Sequence, residues 1–299
     1  MDSLNLFTKM YGYLRNYGMP KWIMTPPRKI IRRLANWYLP KYLSKACENN
    51  NASKENIIVS FTSFPARIKN VWQVVECMKR QSLQPSKVIL WLSKNQFPIP
   101  ESIPKSLRER EGFFFEIRFV EGDIRSHKKY YYVSKEYPNS LVFLIDDDIY
   151  YPTTIIERTM RAHQQYPNAV ICNYGYHIGC TKHGIFLPYN SWPREYHYSS
   201  SYDLFFGSGG GTLIKPEELH EELTNIEQAL ELAPTADDIW LNAVVKISKK
   251  PVVLLENGMV LPIHNLNNEN LASSNKGLSH NDKQLEAVWK YMSKYQISI

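Results

Sequence analysis

Between Ile57 and Ile145 short apolar runs alternate with stretches of helical period, and this alternation constrains the fold more than any other feature. "NIIVSFTSFPARI" opens on a strand-like run, Ile57 to Phe61, and "TSFPAR" follows as the loop at its carboxyl end. "VWQVVECMKRQ" has the period of an amphipathic helix, and "KVILWLS" and "FEIRFVEGD" read as two more strands. "HKKYYYVSKEYP" is then helical and "SLVFLI" a fourth strand. Strands and helices alternating over roughly 100 residues predict an α/β unit with a mostly parallel sheet. Ligands of such sheets bind outside the carboxyl ends of the strands. The loops holding Thr62 to Arg67, Gly122 to Lys129 and Asp146 to Asp148 are therefore expected at one rim. "HNDKQLEAVWKYMSKY" is expected as a closing amphipathic helix of the same domain.

Composition bounds the class without naming it. The 299 residues suffice for one large domain or two small ones, and 43% hydrophobic with 22% charged residues is ordinary for a globular chain. Four cysteines make no CxxC pair and no zinc-like spacing, which speaks for a reducing compartment and against a disulfide framework. No run reaches the ~18 to 20 apolar residues of a membrane span, and no signal-peptide core is seen. A cytoplasmic location is the expectation, and the sequon at Asn51 reads as chance.

The net charge of +7 sits almost entirely in the first segment, where nine Lys and Arg precede Cys47 and only Asp2 opposes them. The near-neutral remainder argues against a nucleic-acid partner. In "RKIIRRLANWY", Ile30, Ile31, Leu34, Trp37 and Tyr38 share a helical face, with Arg28, Lys29, Arg32 and Arg33 opposite. That is the composition of a helix lying in an anionic membrane surface, and the alternative is a helix docked on the protein's own body. Pro20, Pro26, Pro27 and Pro40 are expected to break the segment into short pieces. Residues 1–50 thus read as a basic amphipathic appendage and 51–299 as the main domain, joined by the linker "ENNNASKEN".

"LVFLIDDDIYYP" runs a buried strand straight into three aspartates. On an extended segment Asp146 and Asp148 would share a face while Asp147 points away, and the tyrosines that follow read as packing. Two carboxylates so close repel unless a cation or donor compensates, and Mg²⁺ or Mn²⁺ is an economical partner. The plainer alternative is a solvated acidic loop capping the next helix. A P-loop and an HExxH zinc site are both absent. "ADDIWLN" sets Asp237 and Asp238 before an apolar helix, placed either for general-base work or for helix capping. Gly209, Gly210 and Gly211 would let backbone approach a ligand with no Cβ in the way.

The order of strand, "DDD", "FGSGGG" and "ADDIWLN" resembles GT-A glycosyltransferases that use nucleotide sugars. From Ile57 to His264 the chain is similar to bacterial enzymes of capsule, exopolysaccharide and lipopolysaccharide assembly, and its second half resembles the fringe-like transferases. The resemblance implies a single Rossmann-like domain and a divalent metal bridging the donor's two phosphates. It implies Asp146 near the donor ribose and metal, Asp148 as the main metal ligand, and His264 as a late metal ligand. Thr62, Ser63 and Arg67 would flank the base, Asp123 the base or ribose, and Lys128 or Lys129 the phosphates. Asp147, Gly209 and Gly210 would lie beside the nucleotide sugar, and Trp192, Tyr189 and Tyr196 are candidates to stack on sugar faces or simply to pack. Asp238 or Asp237 would be the base of an inverting transfer. The donor implied is a UDP-sugar and the acceptor a growing, lipid-linked glycan at the cytoplasmic face of the plasma membrane, where the basic segment would hold the enzyme. A nucleotidyl- or phosphotransferase on the same metal site is the runner-up, and a non-catalytic glycan-binding or scaffold protein a third reading.

Overall fold

The computed structural model describes residues 2–16, 20–47, 56–181, 185–195, 197–255, 260–264 and 280–295. Residues 48–55 of the expected linker, the sequon within them, and Tyr196 lie outside the described residues. Two helices come first, α1 (Ser3–Asn16) and α2 (Lys21–Leu43). The alternating half follows as β1 (Ile57–Thr62), α3 (Val71–Lys79), β2 (Lys87–Ser93), α4 (Lys105–Arg108), β3 (Phe115–Val120), α5 (Lys128–Glu136) and β4 (Leu141–Ile145). Then come β5 (Ile149–Tyr150), α6 (Ile155–Gln165), β6 (Val170–Cys172), β7 (Gly175–His177), β8 (Arg194–Glu195), β9 (Ser199–Ser201), β10 (Leu204–Phe206) and β11 (Gly210–Ile214). The chain closes with α7 (Ile226–Leu232), α8 (Asp237–Ile247), β12 (Val252–Leu254), β13 (Leu261–Pro262) and α9 (His280–Met292).

The central sheet has eight strands in the order β3-β2-β1-β4-β11-β6-β12-β9. β3, β2, β1 and β4 run parallel in the order of a Rossmann-like unit, while β11 and the edge strand β9 run antiparallel to their neighbours. The α/β class expected from the alternation is the class observed. β7, β8 and β10 form a small second sheet, and β5 pairs with β13.

Period two along each strand splits the core into two layers. Ile57, Val59, Phe61, Phe143 and Ile145 face one side with α3 and α6, and Ile58, Ile89, Trp91, Val142 and Leu144 face the other with α5, α8 and α9. Each buried Val, Leu, Ile or Phe among these contributes roughly 1.5–3 kcal/mol of transfer free energy. The third strand stops at Val120, short of the expected Asp123, because Gly122 turns the chain with φ +69°.

The first segment departs from expectation in two ways. α2 runs unbroken through Pro26, Pro27 and Pro40. Its face of Ile31, Ala35, Leu39 and Leu43, at i, i+4, i+8 and i+12, is buried in the same core layer as β1 and β4, and that packing offsets the lost backbone bonds. Of the five residues expected on one apolar face, only Ile31 is buried; Ile30, Leu34, Trp37 and Tyr38 are exposed. Leu4 and Tyr11 of α1 join the same layer, so the first segment shares its core with the sheet.

Candidate functional site

A cleft of about 1060 Å³ opens at the carboxyl rim of the parallel strands. The ends of β1 and β4, the loop after β3, the start of α5 and the start of α8 all contribute to its wall. Thr62, Ser63, Arg67, Asp123, Lys128, Lys129, Asp146, Asp147, Asp148, Asp237 and Asp238 line it together. Seven aspartates line this cleft against four Lys and Arg, an acidic excess that favours a cationic occupant.

The three aspartates after β4 do not continue the strand. They enter a turn at Ile145, and alternation no longer governs where they point. Asp147 and Asp148 share Arg67, whose Nη1 lies 3.0 Å from Asp147 Oδ1 and 2.9 Å from Asp148 Oδ2. Asp147, expected to point away from the face of Asp146 and Asp148, is buried and also accepts from Ser63 Oγ at 2.5 Å. Asp146 instead pairs with Lys129 Nζ at 2.9 Å. The same ammonium lies 2.9 Å from Asp237 Oδ2, so one buried lysine bridges the two acidic motifs. Ser208 ties the glycine loop to the second motif: its Oγ donates to Asp237 Oδ2 at 3.1 Å and also contacts Asp238 Oδ1, and its backbone N–H donates to the latter at 2.9 Å. Neither acid caps α8, whose cap position is Ala236.

Burial and neighbouring charge separate these carboxyls. Burial first, then Asp147, push Asp148 up to about 7 despite Arg67. Asp147 is also raised, chiefly by burial, which Arg67 and Ser63 oppose. Burial raises Asp237 too, but Lys129 and His127 outweigh it and its carboxyl titrates below the ordinary range. Asp238, pushed by burial and then by Asp237, rises to about 6. Lys129 is destabilised by burial, yet Asp146 and Asp237 hold it firmly protonated.

The glycine loop acts on the acids. A Cβ built at Gly209 would fall onto the Asp146 carboxylate. Gly211 has φ +98°, and a Cβ there would meet Ile155 Cδ1 and Phe143 Cζ at 2.9 Å each. Tyr151, expected only to pack, accepts from the Asp146 backbone N–H at 2.8 Å and donates to the Gly209 carbonyl, tying the two loops together.

Other expected residues lie elsewhere or do other things. Lys128 is buried against Asp123, which also accepts from Gln96 Nε2 at 2.8 Å, and burial lowers the lysine despite that partner. The His264 side chain is exposed; its backbone N–H donates to Asn36 Oδ1 at 2.6 Å, and the Ile263 N–H donates to Asp148 O at 2.7 Å. Among the described residues no three His, Cys, Asp or Glu side chains gather as a metal site. Trp192 is buried against Tyr189 and Phe205, while Tyr189 lines the cleft. Three cleft residues carry buried polar atoms with no partner among the described residues: Arg67 Nε, Gln96 Oε1 and Asn281 Oδ1. Gln96, Asn281 and Ser208 carried no sequence signal beyond Ser208's place in the glycine run.

No protein-family model matches the chain, and no curated protein matches it. Among solved structures it is similar to a mannosyltransferase from Pyrobaculum calidifontis in complex with GDP-Man and Mn²⁺, at 10% identity and TM-score 0.44, over 99% of this chain and 88% of that one. It is similar to a UDP-glucose pyrophosphorylase complexed with UDP-glucose, at 12% identity and TM-score 0.40, over 80% and 99%. A 4-diphosphocytidyl-2C-methyl-D-erythritol synthase from Anaerococcus prevotii is similar at 12% identity and TM-score 0.40, over 76% and 97%. At these values the likenesses assign the chain neither a family nor a reaction.

Proposed function

We propose that this protein is a metal-dependent glycosyltransferase that moves a sugar from a nucleotide sugar to a hydroxyl of a growing surface polysaccharide or lipid-linked glycan. The observation that carries the reading is the pairing of two acidic motifs, about 90 residues apart in the chain, across one cleft through Lys129. Asp146 and Asp148 would hold Mg²⁺ or Mn²⁺ with donor phosphates completing the shell, and His264, exposed and outside the cleft lining, would have to turn inward to join them. What supports the ion is a cleft rich in carboxylates, and burial, then Asp147, that disfavours ionised Asp148 unless a cation compensates. Bound there, the metal would offset the charge that develops on the departing nucleoside diphosphate.

The remaining chemistry belongs to the side chains. Arg67 Nε and Gln96 Oε1 are a spare donor and a spare acceptor for the nucleotide, flanked by Thr62, Ser63 and Asp123. The acceptor oxygen attacks the anomeric carbon, the bond from that carbon to the phosphate oxygen breaks, and the acceptor proton passes to Asp238. Lys129 keeps Asp237 ionised, and burial, then Asp237, raises the affinity of Asp238 for that proton. A single displacement of this kind inverts the anomeric centre.

The test is turnover of a panel of nucleotide sugars, UDP-sugars first, with Mn²⁺ or Mg²⁺ and with chelator. Release of nucleoside diphosphate that needs metal and falls about 10²-fold or more in Asp148→Asn supports the assignment. Equal turnover in the variant, or no dependence on metal, removes it. Release of pyrophosphate from a sugar phosphate and nucleoside triphosphate would make the protein a nucleotidyltransferase instead.

A further inference from the structure

α2 has two apolar faces, and only one is used inside the molecule. Opposite the buried face, Ile23, Ile30, Leu34 and Trp37 recur at i, i+7, i+11 and i+14 and form an outward stripe. Ile30 is 57% exposed, Leu34 52% and Trp37 65%, and Trp22 at 77% extends the stripe toward the helix start. Isolated exposed apolar residues are commonplace, but a continuous row along about 20 Å of helix is not.

The charge around the row is of one sign. Lys29, Arg33 and Lys41 border it, and neither α1 nor α2 contains an Asp or Glu. Lys29 and Arg33 make no ion pair among the described residues, while Lys41 Nζ lies 4.5 Å over the Trp37 ring. A second copy of the chain is a poor occupant, since a two-fold contact through this row would bring its basic border against itself. No helix among the described residues is long and apolar enough to cross a membrane. An anionic lipid surface supplies what is missing, acyl chains for the row and negative headgroups for its border.

We infer that the outer face of α2 lies in the interface of an anionic phospholipid bilayer while its inner face stays in the protein core. The helix also holds the segment behind Asp148: Asn36 donates to Pro262 O at 3.1 Å and accepts from the His264 N–H, and the Ile263 N–H donates to Asp148 O. The docking rests on the helix face alone and not on the proposed chemistry.

Vesicle flotation of the full-length chain, without donor or metal, tests it. Phosphatidylcholine vesicles containing phosphatidylglycerol are expected to carry the protein, and pure phosphatidylcholine to carry far less. Ile30→Glu/Leu34→Glu/Trp37→Glu and, separately, Lys29→Ala/Arg33→Ala/Lys41→Ala should each weaken partitioning by roughly tenfold or more, with unchanged melting temperature. Failure of the wild type to float, or floating of either variant like the wild type, overturns the inference. So does a dimer in solution that the apolar triple variant disperses while vesicles bind neither form. Since flotation needs no turnover, loss of the proposed transferase activity would leave this result standing.

Discussion

Asp237 and Asp238 are neighbours on one helix turn, yet Lys129 touches only the first, and the two carboxyls part in acidity as a result. Asp238 must be ionised to take a proton, and its group is raised to about 6. Under the proposed mechanism kcat/KM therefore rises with pH through about 6 and levels above it. Asp238→Asn is expected to lose that limb together with about 10² to 10⁴ of the rate, measured as a pH profile of nucleoside diphosphate release. Gly209 governs the other motif by having no side chain. Gly209→Ala would push the Asp146 carboxylate aside, and a displacement of about 1 Å at such a site costs on the order of 10²-fold in turnover. The melting temperature, which a mere folding defect would lower, should stay within a few degrees of wild type.

At the scale of elements, what local pattern predicts and what it leaves open separate at α2. Helical period was legible in its apolar spacing, but the spacing holds two apolar rows, and period alone does not say which row the core takes. The sheet takes Ile31, Ala35, Leu39 and Leu43, a row that includes an alanine and reads weakly in sequence. Small residues allow close approach, and hydrophobicity scales undervalue them. Leu39→Ala should accordingly cost about 2–5 kcal/mol in urea unfolding, whereas Leu34→Ala, on the exposed row, should cost under about 0.5 kcal/mol. Equal effects would mean that α2 is not docked as described. β1 to β4 were legible to within a few residues, because each is an apolar run bounded by polar or turn residues.

At the scale of the whole molecule, Lys129 joins the end of β4 to the start of α8 through the middle of the cleft. Removing it leaves Asp237 buried without its cation. Lys129→Met should destabilise the protein by about 3 kcal/mol at neutral pH, a figure at the low end because Asp146 is 41% exposed and screened by water. The sign of its pH dependence follows from Asp237, which Lys129 holds low in the folded protein. That contribution is full above the ordinary carboxylate value and is lost as pH falls from there through the lowered folded value, so the variant's deficit in melting temperature should shrink in acid. A deficit independent of pH would show that Lys129 acts by packing rather than by charge.

Sequence by itself determined the α/β class, the strands that build the parallel half, the rim on which the cleft opens, and the two acidic motifs. All of these are properties of neighbours along the chain: apolar period, the reach of a strand into its loop, and charge density. Tertiary structure alone decided that Arg67 is shared by Asp147 and Asp148, that Lys129 spans Asp146 and Asp237, and that Gly209 gives way to a carboxylate. Those partners come from strands and helices far apart in the chain, and only the packing of one sheet against its helices sets which side chains meet.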